Sequence, residues 1–310
     1  MKNGCFLVVW ALSACLSLVA QDSDLRYRLA PGEHYVLEVE MNQQSHAESY
    51  IREEVNLTSQ LVLHFRVDSV PEPDRICMQS WYEEVRLSML APGLGIDLSS
   101  EDQNETALHM LANALEGKTF QLCMKKDGSL LGMEGLADHF RQLSRLPYPD
   151  TTELAVAFRT LEESYGPDSY TSLFGLFVSL YPSLGFQTHW TRDMTYHFNS
   201  KAVLLNNSYQ LSSVSEERWI SQGIGLFNAH NAFREITSIG EVEAVITGSQ
   251  TYDFLMDPAT GWLQKCNARQ RTLVETTVIK GKGLPTGLKI PSYTETLFEV
   301  RGKKLEHETK

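Results

Sequence analysis

The chain has 310 residues, of which 42% are hydrophobic and 21% are charged, and its formal net charge is −12. This composition is typical of a globular protein with a large core. The excess of acidic residues repels nucleic acid and anionic lipid, which excludes a general electrostatic affinity for either.

Residues 1–20 form a predicted export signal. The segment MKNGCFLVVWALSACLSLVA has a basic start, an apolar middle and small residues at its end. Its apolar part is shorter than the ~20 residues of a membrane-spanning helix. Two processing outcomes stay open: the lipobox-like sequence ending at Cys15 would leave that residue lipidated, and cleavage after Ala20 would release a chain starting at Gln21. We favour simple cleavage.

The predicted mature chain contains three cysteines, Cys77, Cys123 and Cys266. In an exported protein, this odd number allows one disulfide and one free thiol, or three thiols buried as small apolar side chains. We favour the second interpretation. No CxxC pair or histidine at metal-ligand spacing accompanies them, so the sequence predicts no zinc site.

Residues 21–135 are predicted to form a β-rich half. In HYVLEVEMN, Tyr35, Leu37, Val39 and Met41 alternate with polar residues, which indicates a strand with one buried face. The stretches SQLVLHFRVD and ICMQSWYEEVRLSML are also extended. The run ALHMLANALEG has helical spacing and ends at Gly117, and GKTFQLCMKKDGSLLGMEG is a hairpin with a Lys-Asp-Gly turn.

Residues 136–182 are predicted to be a helical middle. One helix carries Leu136, a second is capped by Asp150 and Thr151, and a third is capped by Asp168 or Ser169. The third helix presents an aromatic face that lines a ligand cavity or, as we favour, packs in the core. The residues of this face are Tyr170, Phe174, Phe177 and Tyr181.

Residues 183–310 are predicted to form a second β-rich half. The segment GSQTYDFLMDPATGWLQKC has the same order as the earlier hairpin: Gly, an aromatic strand, a turn with Asp and Gly, and a second strand. Such similarity indicates a duplicated half-domain or two ordinary hairpins.

The stretch HWTRDMTYHFN carries His189, Asp193 and His197 at intervals of four. Trp190 and other apolar residues alternate with this polar set, interrupted by Arg192, which predicts a strand. Positions four apart on a strand are separated by about 13 Å, so the three side chains cannot form one site by themselves. Only partners from other strands, with His64 also available, would create a catalytic site.

No other catalytic or cofactor-binding motif is present in the sequence. GxSxG, HExxH and GxxxxGK[ST] are absent, and Gly223-Ile224-Gly225 is only a fragment of GxGxxG. We therefore predict no catalytic residue, no cofactor and no metal site.

Four segments together resemble an uncharacterised family of exported bacterial envelope proteins of similar length, a domain of unknown function. They are LAPGEHYVLEVEM, LEGKTFQLCMKKDGSLLGMEG, SYGPDSYTSLFGLFVSLYP and TYDFLMDPATGWLQK, and the resemblance extends from about Leu29 to Val278. After the helices, the family usually shows Pro-Val-x-x-Gly-Asp-Ser/Thr-Trp. This chain keeps Gly185 and Trp190 but lacks the Asp. The resemblance implies a shared fold and transfers no site residues.

The predicted architecture is α+β, with strongly curved antiparallel sheet in two related halves and the helices on one side. It is similar to the half-barrel carriers of bacterial envelopes, which hold lipid or acyl chains. Our first hypothesis is a non-enzymatic envelope protein that binds a lipid, another hydrophobic ligand or an envelope protein, and its lipid version predicts a large apolar cavity. The alternatives are a hydrolase whose site is assembled from distant strands and a purely structural interaction module.

Overall fold

The structure is a computed structural model that describes residues 25–47, 53–91, 94–99, 106–183, 185–198, 201–228, 232–237 and 239–306. The predicted signal and Cys15 lie outside these residues. Within the described part of the chain there are thirteen strands: β1 (His34–Ala47), β2 (Glu53–Glu72), β3 (Arg75–Ala91), β4 (Leu94–Ser99), β5 (Phe120–Lys125), β6 (Leu130–Glu134), β7 (His189–Phe198), β8 (Lys201–Val214), β9 (Trp219–Phe227), β10 (Ala232–Thr237), β11 (Gly240–Met256), β12 (Leu263–Gly281) and β13 (Lys289–Leu305).

The strands form one curved sheet in which every pairing is antiparallel. Its order is β6-β5-β3-β2-β1-β13-β12-β11-β9-β8-β7, with β4 on β3 and β10 on β11. The mostly antiparallel sheet with a few helices confirms the predicted architecture at this level, and the division into two related halves is not confirmed.

The alternation of apolar and polar residues produces the two faces of the sheet. Tyr35, Leu37 and Val39 of β1 are buried, and the same period of two runs through β8, where Val203 and Leu205 are buried. Successive side chains of a strand point to opposite faces, so the buried set defines the concave side. The core lies between this side and the helices.

Four helices are described: α1 (Ala107–Leu115), α2 (Leu136–Leu143), α3 (Thr151–Tyr165) and α4 (Pro167–Phe177). Asp150 caps α3 as predicted, because its carboxylate accepts from the backbone N–H groups of Thr152 and Glu153. The predicted cap of the third helix was wrong: α4 begins after Gly166, with Pro167 in its first turn and no side-chain cap. Proline suits that position because its missing N–H has no intrahelical partner there.

The two similar hairpins meet the same short segment at one end of the sheet. The N–H of Tyr27 donates to the carbonyl of Lys126 in the β5–β6 turn, and the N–H of Arg28 donates to the carbonyl of Thr260 in the β11–β12 turn. The Tyr181 hydroxyl donates to the Gly261 carbonyl at the same end. The turn motifs noted in the sequence therefore serve the packing of this end.

Gly128, in the β5–β6 turn, is expected to be irreplaceable by alanine. Its φ is +86°, and a Cβ there would lie 2.1 Å from the Val178 carbonyl oxygen. Gly128→Ala should lower the free energy of unfolding by about 3 kcal/mol, measured by chemical denaturation, because backbone strain and overpacking add. Gly287→Ala is the control, with φ +83° and nothing within 4 Å of the added Cβ. Equal losses for the two variants would contradict the packed turn.

One cysteine prediction was wrong. Cys77 and Cys123 form a disulfide across the directly opposite positions of β3 and β5, and Cys266 alone among the described cysteines is a buried free thiol. Sequence spacing could not show this pairing because the partners are 46 residues apart and meet only when β5 returns to β3. Burial raises the pKa of the Cys266 thiol, which disfavours the reactive thiolate form.

Helices long and apolar enough to cross a membrane do not occur in the described part of the chain.

Candidate functional site

A row of amide and hydroxyl side chains crosses the concave face of the sheet. On six neighbouring strands, these residues occupy directly opposed positions, about 24 Å from end to end at the usual strand spacing. The polar row, as we call it, consists of Asn207 on β8, Gln250 on β11, Gln270 on β12, Thr296 on β13 and Gln43 on β1, with Gly225 at the β9 position.

Several atoms of the polar row are buried without a hydrogen-bond partner among the described residues. The Gln250 side chain has no exposed surface, and neither its Nε2 nor its Oε1 is bonded. Gln270 Oε1, Asn207 Nδ2 and the Oγ1 of nearby Thr272 are also unpaired. An unpaired buried polar atom costs about 1–3 kcal/mol, so a cluster of such atoms demands an explanation.

The remaining groups of the polar row have partners that fix their orientation. Tyr252 donates its hydroxyl to Asn207 Oδ1 at 2.9 Å, and Thr296 donates to Gln43 Oε1 at 3.4 Å. Gly225 leaves room for the first pair, because a Cβ at this position would lie 2.4 Å from Asn207 Oδ1. One group at each end of the row therefore has a partner, whereas both polar atoms of the Gln250 side chain in the middle have none among the described residues.

A second row lies beside the polar row on the same face, two residues further along each strand. It is polar at one end and apolar at the other. Thr272 on β12, Thr294 on β13 and Ser45 on β1 continue the polar surface, and Thr294 Oγ1 lies 2.9 Å from Ser45 Oγ. On β8 and β9, the equivalent positions are the buried Leu205 and Phe227. The concave surface thus has a polar part and an adjacent apolar part, which together match an amphipathic molecule.

One side chain of edge strand β7 reaches the polar row. Tyr196 of β7 packs on Phe227 with ring centroids 5.7 Å apart and hydrogen-bonds the Gln270 side chain. Burial raises the pKa of Tyr196, and the Gln270 amide partly offsets that rise. A side chain from one edge of the sheet therefore reaches a strand four positions away in the sheet order, which requires strong curvature.

Arg192 of β7 clasps this edge to the β5–β6 turn near the other edge. Its guanidinium donates to the carbonyls of Asp127 and Tyr181, to the Ser129 hydroxyl, and lies 3.4 Å from the Asp127 carboxylate. The arginine and aspartate side chains are only 13% and 12% exposed. The residue that interrupts the apolar alternation of β7 is thus a structural clasp.

The predicted aromatic face lies in the hydrophobic core. Tyr170, Phe174, Phe177 and Tyr181 are all at most 3% exposed. Phe177 packs on Phe298 of β13 at 5.5 Å. None of the four lines the surface cavities described below.

The structure does not bring together the four polar groups of the hydrolase hypothesis. His189, Asp193 and His197 follow one another along β7, with Asp193 bonded to Asn206. His64 lies on β2, where it bonds His34 at 2.8 Å and the Glu83 carboxylate.

His197 does meet a serine and an aspartate, although they are poorly placed for nucleophilic catalysis. Its Nδ1 lies 3.2 Å from Ser172 Oγ and its Nε2 lies 3.8 Å from Asp168 Oδ1. The Ser172 hydroxyl, however, donates to the Asp168 backbone carbonyl, accepts from the His197 N–H, and belongs to a residue only 4% exposed. Such a hydroxyl caps local structure and has no access to a substrate.

Three surface cavities of about 420, 380 and 340 Å³ are polar or mixed in character. The first lies between α3, α4 and β7 and includes Glu162, whose pKa is raised by burial and by the negative charges of Asp168 and Glu163. The other two lie on the convex face. The large apolar cavity predicted by the lipid hypothesis is not one of these three.

Among the described residues there is no cluster of three or more His, Cys, Asp or Glu side chains able to hold a metal ion.

The sequence analysis missed the polar row. One signal was available in β12, where two polar residues, Gln270 and Thr272, continue the alternating series of the buried Cys266 and Ala268. Alternation alone would have placed both on the concave side. Their alignment with residues from β1 and β8 depends on strand order, which a single sequence does not reveal.

Comparison with solved structures found several distant likenesses. A structure described as lipid-protein interactions in lipovitellin shares 9% identity, covers 91% of this chain and 26% of its own, and has a TM-score of 0.46. The COG4313 outer membrane channel of Pseudomonas putida F1 shares 10% identity, covers 91% and 98%, and has a TM-score of 0.19. This chain spans about a quarter of the lipovitellin chain.

A comparison with curated proteins found no match. A family model, described as a family of unknown function, matches residues 74–263. This match contains the β5–β6 hairpin, the four helices and β7, including Arg192 and its partner Asp127, and it ends at the first residue of β12. It spans more than half of the chain and confirms the predicted resemblance, so the protein belongs to the family of unknown function DUF6263.

Proposed function

We propose that the protein is a non-enzymatic, exported binding protein that takes a hydrophobic ligand with a polar end into the concave face of its sheet. The observation that carries this proposal is the fully buried Gln250 amide. Neither its Nε2 nor its Oε1 has a hydrogen-bond partner among the described residues. A ligand with hydrogen-bonding groups would complete the middle of the polar row, and its apolar part would lie on Leu205 and Phe227.

Ligand binding requires the side chains that lie over the polar row to move aside, because the unpaired atoms are enclosed by protein. The part of β7 that carries Tyr196 is suited to this movement. β7 is an edge strand paired only with β8 in the sheet order, and Tyr196 lies four residues beyond Arg192, which fixes the strand to the β5–β6 turn. Edge elements with few ladder bonds open at lower free energy than central strands. The unpaired buried polar atoms raise the free energy of the closed form, which favours such opening.

Export is supported by the predicted signal and by the Cys77–Cys123 disulfide, a feature typical of proteins in oxidising compartments. A hydrolase is less well supported, because the four polar groups offered for it are dispersed and Ser172 is enclosed.

Native mass spectrometry of the protein, purified without detergent from its own cells, tests the proposal. We expect a bound mass that is lost when the same sample is denatured. A bare polypeptide in every charge state would overturn the ligand-binding function and leave a protein-interaction module.

Gln250→Leu should produce two opposite effects. Loss of the bound mass is expected, because the variant removes the central hydrogen-bonding groups. The free energy of unfolding of the ligand-free protein should rise by about 1–3 kcal/mol, because an unsatisfied buried amide becomes an apolar side chain of similar size.

The matched control is Gln44→Leu, since Gln44 lies on the exposed face of β1. We expect this variant to retain the ligand and to change stability by less than about 0.5 kcal/mol. If Gln250→Leu instead destabilises the protein and keeps the ligand, the amide has a structural partner and the proposal is wrong.

A further inference from the structure

The side chains of the polar row and of the row beside it are uncharged. The row of Asn207, Gln250, Gln270, Thr296 and Gln43 contains only amides and one hydroxyl, and the next row adds Thr272, Thr294 and Ser45. The opposite faces of the same strands carry Arg269 and Arg271 on β12 and Glu295 on β13, which form ion pairs. On β12 and β13, charge is therefore confined to the convex side. The inward charge beside the row is Arg192 of β7, directly opposite Asn207, and its guanidinium is already occupied by the Asp127 carboxylate, the carbonyls of Asp127 and Tyr181 and the Ser129 hydroxyl.

The inward charged pair nearest to the polar row on β8 lies at the rim and is already neutralised. Lys201 of β8 is 3.7 Å from Glu235 of β10 and packs over the Phe233 ring. Lys201 is six residues from Asn207, which places it about 20 Å away along an extended strand. It cannot serve as a counter-ion for a group bound at Gln250.

An ionised head group would be poorly accommodated at this surface. Moving a charge from water into a dry interior costs several kcal/mol unless an opposite charge compensates it. The net charge of −12 adds a general repulsion for anions. Amides and hydroxyls, in contrast, match uncharged donors and acceptors at lower cost.

The unpaired atoms offer both kinds of hydrogen bond. Gln250 Nε2 and Asn207 Nδ2 are donors, Gln250 Oε1 and Gln270 Oε1 are acceptors, and Thr272 Oγ1 can act as either. A complementary head group therefore carries hydroxyl donors together with carbonyl acceptors.

We infer that the ligand is a neutral amphiphile whose head combines hydroxyl and ester or amide groups, of the chemical class of a monoacylglycerol. The inference rests on the proposed function, and it excludes fatty acids, fatty amines and phospholipids with charged heads as preferred ligands. Leu205, Phe227, Val203 and Ile246 are buried in the closed form, and they would contact the acyl chain once Tyr196 moves away from Phe227.

Displacement of the uncharged dye Nile red from the full mature protein tests this inference. The competitors are monoolein, oleate and oleylamine, which share one hydrocarbon chain and differ in head-group charge at pH 8. We expect monoolein to displace the dye at a concentration at least about ten-fold lower than either charged competitor. Oleate or oleylamine displacing the dye as effectively as monoolein would overturn the neutral-head inference, whereas the proposed binding function would stand.

A protein that takes up neither the dye nor any competitor would fail the proposed function itself. Gln250→Leu supplies the second measurement: its preference for monoolein should fall by about ten-fold while uptake of the dye by the apolar surface persists. Gln44→Leu should keep the preference of the unmodified protein. An unchanged preference in Gln250→Leu would remove the polar row from head-group recognition.

Discussion

Arg192→Met is expected to lower the free energy of unfolding by about 3–5 kcal/mol, measured by urea denaturation. Methionine keeps most of the aliphatic volume but leaves the Asp127 carboxylate, only 12% exposed, without its cation. The carbonyls of Asp127 and Tyr181 and the Ser129 hydroxyl also lose their donor. The clasp between β7 and the β5–β6 turn would then be absent.

The control is Arg234→Met, which removes an exposed ion pair with Glu243 between β10 and β11. Since exposed pairs contribute little, this variant should lose less than about 1 kcal/mol. The double variant Arg192→Met with Asp127→Asn should recover part of the loss, because the uncompensated charge disappears. A loss below about 1 kcal/mol in Arg192→Met would show that the clasp does not hold the edge.

Replacing both disulfide cysteines, Cys77→Ser with Cys123→Ser, is expected to lower the free energy of unfolding by about 3–4 kcal/mol. The bond closes a loop whose ends are 46 residues apart, and opening this loop frees the unfolded chain. The loop contains β4 and α1. The disulfide also joins β5 to β3 directly, because the two cysteines occupy opposed positions on these strands.

Reductant provides the internal comparison for the disulfide. It should lower the stability of the unmodified protein by a similar amount and leave the double serine variant unchanged. A reductant effect in the variant, or none in the unmodified protein, would contradict the assigned bond. Cys266 does not interfere, because it is buried and its thiol pKa is raised.

Local patterns predicted the elements of the fold well. The alternation in β1 and β7 and the Asp150 cap of α3 are visible in short windows, because they depend on side chains within a few residues. The start of α4 was misplaced because Gly166 and Pro167, rather than the following Asp168, make the turn between two helices. Competing local signals of similar strength decide such boundaries.

The candidate site depends on long-range register, which local patterns do not contain. Gln43 and Asn207 lie at the two ends of the polar row, and they share it only because β13, β12, β11 and β9 lie between their strands. Arg192 interrupts the apolar face of β7, and its role becomes visible only in the fold, where the turn at Asp127 lies beside it. The sequence shows which residues of these strands are polar, but it does not show which of them lie opposite one another in the sheet.

The measurement that tests the central claim most directly is nuclear magnetic resonance of the side-chain amides in protein labelled with ¹⁵N at glutamine. The Gln250 and Gln270 signals can be assigned from their leucine variants and followed as monoolein is added. We predict saturable shifts of both signals at one affinity, while the signal of Gln44 on the convex face stays in place. Unchanged Gln250 and Gln270 signals at saturating monoolein would contradict the claim that the polar row binds the ligand.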